Sequence, residues 1–317
     1  LGENCYKSLH TKYIKIKMKK ILITFAGRRK FLEILFKYID KYSHHIDEYH
    51  IYAATNVKED LDFIKEYSDN RDFVKVFWSD REDPIYLWNE CYKNSKDEDS
   101  VYLKLDDDIV FLEENLFTDF INFRIENKEY PIIYPLIINN SFMSWLLQKE
   151  MGFQFSDRSF FGERWESVSH LIENYININN SIPDRIINVI PEEYVLCPVG
   201  WGNVDFSKSV HETFLNALES NNLSIFRKSS DTGFELKHPY PVSINCCSWL
   251  GSGLKRYTDK FGDVWQDEPW LSVYLPILEK KNNYVYSGTI VSHFSYYIQQ
   301  NGLLSSNILD RYKNYIK

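Results

Sequence analysis

The chain has 317 residues, of which 44% are hydrophobic and 16% aromatic, enough apolar material for one large α/β domain or a domain with an added lobe. A net charge of −8 at pH 7 argues against a general nucleic-acid surface, which needs a basic footprint, though a local basic patch stays compatible with it. No apolar run approaches the ~20 residues that a membrane helix needs, so no transmembrane segment is expected.

The cysteines are Cys5, Cys91, Cys197, Cys246 and Cys247, an odd set with no metal-ligand spacing. They read as reduced thiols, and with them a cytoplasmic, reducing compartment. The basic start makes a poor signal peptide, because its apolar run is short and Arg28, Arg29 and Lys30 follow at once. Met18 opens "MKKILITF", which reads as a natural start, so residues 1–17 are expected to be a leader or an upstream extension.

In chain order, 20–27 reads as a buried strand broken by Gly27, and 29–42 carries apolar residues at helical spacing. A second strand is predicted over 49–56, a helix over 58–68, a third strand over 72–80, and a third helix over 84–95 with Pro84 in its first turn. This alternation predicts a mostly parallel sheet with right-handed crossovers over the first ~110 residues. Beyond it, 114–127 reads as helix and 130–140 as a strand whose prolines suggest a sheet edge. Helices are predicted over 164–176, 209–219 and 267–281, and strands over 240–251 and 283–296. The expected organisation is one unit over 18–317, with a nucleotide-binding half over 18–112 and an irregular half over 113–317.

The feature that asks for chemistry is "VYLKLDDDIVF", where Asp106, Asp107 and Asp108 follow an apolar strand. Ligands of open α/β sheets gather at the carboxyl ends of strands. On an extended chain Asp106 and Asp108 point to one side, and paired carboxylates suit a hard divalent ion. Taken alone, the triplet equally suits a solvated acidic turn capping the next helix.

Four stretches together resemble nucleotide-sugar-dependent glycosyltransferases of the GT-A fold, compact viral and bacterial members above all. "TFAGRRKFLEIL" is similar to their opening strand and loop, and "SVYLKLDDDIVF" to their DXD motif. "KFGDVWQDEPWLSVYL" resembles the segment with the catalytic acid, and "GTIVSHFSY" the late strand whose His completes the metal site. The resemblance spans most of 18–296 but leaves 141–240 unmatched, a stretch expected to serve the acceptor.

The resemblance implies a metal-dependent transfer of a sugar from a nucleotide-sugar, UDP-linked by preference, to a glycan or glycoprotein acceptor. Asp108, Asp106 and His293 would hold Mn²⁺ or Mg²⁺, imidazole favouring Mn²⁺. Asp106 and Asp107 would meet the ribose. Thr24, Phe25, Ala26 and Gly27 would form the loop at the nucleobase, with Arg28 or Arg29 on base or phosphates, and Asn56 and Asp80 lining the base pocket. Asp267 and Glu268 are the candidate general bases of an inverting transfer. The family order is Glu-Asp and here it is Asp-Glu, so the base stays open between the two. Trp201, Trp249, Trp265 and Trp270 are candidates for stacking on an acceptor sugar, with "GWGN" (200–203) and "WLGSG" (249–253) at the edge of that site. A monomer or homodimer is expected. Two other functions fit less well: a nucleotidyltransferase acting on a sugar phosphate, and a non-catalytic carbohydrate-binding protein that keeps the fold.

Overall fold

A computed structural model describes residues 17–79, 86–155, 198–227, 233–237, 239–262 and 267–316. Its strands are β1 (Lys19–Ala26), β2 (Glu48–Ala53), β3 (Val74–Trp78), β4 (Ser100–Asp106), β5 (Ile109–Leu112), β6 (Ile133–Ile138), β7 (Gly233–Leu236), β8 (Cys246–Leu250) and β9 (Asn283–His293). They form one sheet in the order β3-β2-β1-β4-β8-β6-β9-β5, with β7 on β9. β3, β2, β1 and β4 pair parallel, as the strand–helix alternation predicts. β8 runs against both β4 and β6, β6 lies parallel to β9, and β5 and β7 run against β9. The class is therefore mixed α/β with a mainly parallel sheet, compatible with a Rossmann-like nucleotide-binding fold.

Helices α1 (Arg29–Tyr42), α2 (Lys58–Ser68) and α3 (Tyr86–Asn94) supply the crossovers. α1 buries Phe31, Leu32, Leu35, Tyr38, Ile39 and Tyr42, a stripe at helical spacing, so its packing on the sheet follows from the sequence. The chain leaves β1 towards β2 and then β3, and returns past β1 to form β4. The carboxyl ends of β1 and β4 therefore flank a switch point, where open sheets of this kind leave a crevice.

Several parts of the second half differ from expectation. β6 is an interior strand between β8 and β9, not an edge. It tolerates Pro135 because the ladder breaks there: Pro135 faces Tyr286, but Leu136 faces Ile290. The slip in β9 removes the need for the N–H that proline lacks. Ser141–Met151 forms a helix where no element was predicted; the Asn140 side chain caps it by accepting from the Met143 N–H. The run 267–279 is not a continuous α-helix, since Trp270–Tyr274 is a π-turn. The helix predicted over 164–176 lies outside the described residues.

Candidate functional site

The site begins where β1 and β4 end. Phe25 is in register with Asp106, so Gly27 and Arg28 come out beside Asp107. The Gly27 N–H donates to Asp107 Oδ2 at 3.0 Å. Arg28 donates to Asp107 Oδ1 from Nε at 2.9 Å and again from Nη2. Its Nη2 also lies 3.2 Å from Asp108 Oδ1. A glycine suits position 27 because a Cβ there would stand 3.0 Å from the Ala54 carbonyl. Burial works against the Arg28 charge, but Asp108 and Asp107 outweigh it and raise its pKa.

Asp107 and Asp108 form the turn from β4 into β5. Ile109 of β5 pairs with His293 at the end of β9, which brings that histidine to the aspartates from nearly two hundred residues away. One ligand atom each from Asp106, Asp108 and His293 fall within 4.8 Å of one another. His293 Nε2 lies 3.4 Å from Asp108 Oδ2, while its Nδ1 sits 3.1 Å from the Asn139 carbonyl. That carbonyl accepts a hydrogen bond from the Nδ1–H and leaves Nε2 facing the carboxylates, the arrangement usual behind a metal-binding imidazole.

Asp108 is 1% exposed, and neither of its carboxylate oxygens has a hydrogen bond. Such a group is costly unless a charge partner completes it. Burial disfavours its charge, but His293 and then Arg28 overcome that and hold its carboxyl low, at about 2. Asp107 is pushed the other way by burial, against the pull of Arg28. Two carboxylate oxygens and an imidazole nitrogen fit a divalent ion, the Asp108 oxygens having Arg28 and His293 as charged neighbours but no hydrogen bond. His44, His45 and Glu114 bring ligand atoms equally close near the surface, but no buried carboxylate without a hydrogen bond accompanies them.

Beside this group opens a cavity of about 400 Å³. Its walls include Phe25, Gly27, Arg28, Asp106, Asp107, Asp267 and Glu268, so residues from three distant stretches meet. Both candidate bases therefore face the same space as the aspartates. Tyr92 donates to Asp267 Oδ2 at 2.7 Å. Burial raises the Asp267 pKa, and burial together with Asp267 pushes Glu268 up to about 7.

Four further wall residues, Ala54, Trp88, Lys104 and Ile244, are absent from the sequence reading. Lys104 is buried, donates to Asp106 and to the Ile244 carbonyl, and lies over the Phe25 ring. Burial works against its charge, and Asp106 and Asp267 keep it protonated. The signal was present: Lys104 interrupts an apolar strand two residues before Asp106, hence on the same face. Trp88 had no such signal; it reaches the site through its ring contact with Phe25, at 6.0 Å between centroids.

Other predicted residues lie elsewhere. Thr24 and Ala26 are buried in β1 and do not line the cavity. Arg29 points away, its N–H on Asp60 and its side chain on Glu33. Asn56 is exposed in the loop after β2, also off the cavity wall. Asp80 and Trp265 lie outside the described residues. Trp249 and Trp270 are core residues, 1% and 3% exposed, and Trp201 is half-buried.

No family model matches the chain, and no curated protein matches it in sequence. Among solved structures 41 chains match. One is 4-diphosphocytidyl-2C-methyl-D-erythritol synthase from Anaerococcus prevotii, 13% identical, with a TM-score of 0.43 over 92% of this chain and 95% of that one. So distant a likeness carries no argument about what this chain does.

Proposed function

We propose that the chain is a divalent-metal-dependent glycosyltransferase using a nucleotide-sugar donor. The observation that carries this reading is one cavity whose wall holds both Asp106, a member of the Asp106, Asp108 and His293 group, and Glu268, whose pKa is raised to about 7. Phe25 and Trp88 offer apolar faces to a nucleobase, and Arg28 sits where a diphosphate would need a cation. An ion held by Asp106, Asp108 and His293, Mn²⁺ by preference, would neutralise charge on the leaving diphosphate.

Glu268 would take the proton of an acceptor hydroxyl as that oxygen bonds to the anomeric carbon. The bond from that carbon to the diphosphate oxygen breaks, and its electron pair leaves with the nucleoside diphosphate. Attack opposite the leaving group inverts the anomeric centre. Asp267 is held by Tyr92 and is the weaker candidate for the base. A carboxylate poised near neutrality matches the requirement of a general base working at neutral pH. The acceptor would be a glycan or glycoprotein hydroxyl.

A second reading, nucleotidyl transfer to a sugar phosphate, draws on Arg28 and the buried Lys104, two cations that suit a triphosphate. Calorimetry with UDP and Mn²⁺ tests the shared premise: Asp108→Ala should lose Mn²⁺-dependent UDP binding by at least about tenfold without unfolding. Unchanged affinity would remove the metal assignment. A panel of nucleotide-sugars then separates the two readings. Mn²⁺-dependent release of nucleoside diphosphate supports glycosyl transfer, whereas pyrophosphate release from UTP and a sugar phosphate supports the alternative.

A further inference from the structure

At the other end of the sheet a second cavity, of about 180 Å³, opens beside Trp249 and Leu250. β8 runs antiparallel to β4 with Leu250 opposite Val101, so this cavity borders the start of β4, whereas the aspartates stand at its end. Four cations line it, Arg124, Lys128, Arg256 and Lys281, against one carboxylate, Glu279. In a chain of net charge −8 that is a marked local reversal.

Arg124 is the unusual member. It lies in the helix Asp119–Glu126 and is 1% exposed. Its two Nη groups donate to the carbonyls of Tyr130 and Asn127, its Nε has no partner, and no carboxylate among the described residues pairs with it. A buried charge normally finds an opposite charge. Burial pulls the Arg124 pKa down to about 10, outweighing the opposing pull of Glu129, which forms no ion pair with it. Glu279 does not supply it, being taken by Arg256, Lys281 and the Tyr257 hydroxyl. The buried indole N–H of Trp249, also in the wall, has no acceptor either.

We propose that this cavity is an anion site, separate from the aspartate cavity, for a ligand carrying a tetrahedral oxyanion such as a phosphate or sulfate group. An oxyanion brings the charge that the four lining cations call for, with only one carboxylate, Glu279, in the wall. Arg256 and Lys281 are exposed at the rim and guide the anion in. Free phosphate and a phosphorylated or sulfated glycan share this chemistry.

The test uses the full chain, with inorganic sulfate and inorganic phosphate as probes. Isothermal titration at constant ionic strength should show saturable binding of both, and the double charge reversal Arg256→Glu with Lys281→Glu should weaken it at least tenfold. Both positions are exposed, so the variant should fold, and its Mn²⁺-dependent UDP binding should be unchanged. Arg124→Met is a second variant, with circular dichroism as its folding control. A crystal soaked in tungstate should give an anomalous peak against Arg124. Sulfate binding unaffected by the double reversal, a tungstate peak confined to the aspartate cavity, or no saturable binding would each overturn the proposal. Sulfated and phosphorylated oligosaccharides then distinguish the sources: a glycan bound more tightly than its free anion identifies a glycan subsite, and equal affinity identifies a site for the free ion.

Discussion

Glu268 shows how much a single residue's setting matters. Its carboxyl is ordinarily half-ionised at 4.5, and burial with Asp267 moves that to about 7. Between those values the folded chain keeps a proton that the unfolded chain gives up, so folding stability falls as pH rises from 4.5 to about 7. Glu268→Gln removes that cost. It should be more stable than the parent at pH 8, by up to about 3 kcal/mol, while losing turnover. Urea denaturation at pH 4 and pH 8 reads the first effect, which should be nearly absent at the lower pH. In the parent, kcat/KM should rise with pH through about 7, and that limb should disappear in Glu268→Gln. A limb that survives there and disappears in Asp267→Asn would move the base to Asp267. The sequence placed both acids at one site but could not rank them, because the ranking depends on which receives the Tyr92 hydroxyl and how each shifts the other.

At the scale of elements, the run 267–279 illustrates a local rule overridden by a distant partner. Helical spacing over 267–281 is real, but Pro276 has no N–H to give to the preceding turn. The Ser272 carbonyl, four residues back, receives instead the Asn283 Nδ2 at 3.1 Å, and the Leu271 carbonyl receives it at 3.3 Å. Asn283 Oδ1 also accepts from the Ile132 N–H, which ties the π-turn to the strand edge between β6 and β9. Asn283→Ala would strand two carbonyls and one N–H in the interior. It should cost about 1–3 kcal/mol in urea denaturation. It should also lower turnover more than it lowers UDP affinity, because Glu268 leads this run and the UDP-side residues do not. Equal losses of both would place Asn283 outside the positioning of Glu268.

Across the whole molecule, the halves drawn in the sequence at 18–112 and 113–317 share one sheet. β4 takes β1 on one side and β8, from the second half, on the other, and the buried residues of both halves form one core cluster. A chain of residues 18–112 alone would leave β4 with an open apolar edge and Asp108 without His293. It should show no cooperative unfolding by circular dichroism in urea, whereas the full chain should; a cooperative transition in the fragment would make the halves separate domains. The sequence by itself determined α1, α2 and the parallel strand series, because those depend on local periodicity and on crossovers with few allowed paths. It also marked the carboxylates, since three consecutive aspartates after an apolar strand are visible without a fold. Only the tertiary structure decided that β6 is interior, that Lys104 and Trp88 join the cavity wall, and that Arg124 is buried with no carboxylate paired to it among the described residues. These are matters of which surfaces meet across long sequence separations, set by pairing register and by what each buried charge finds beside it.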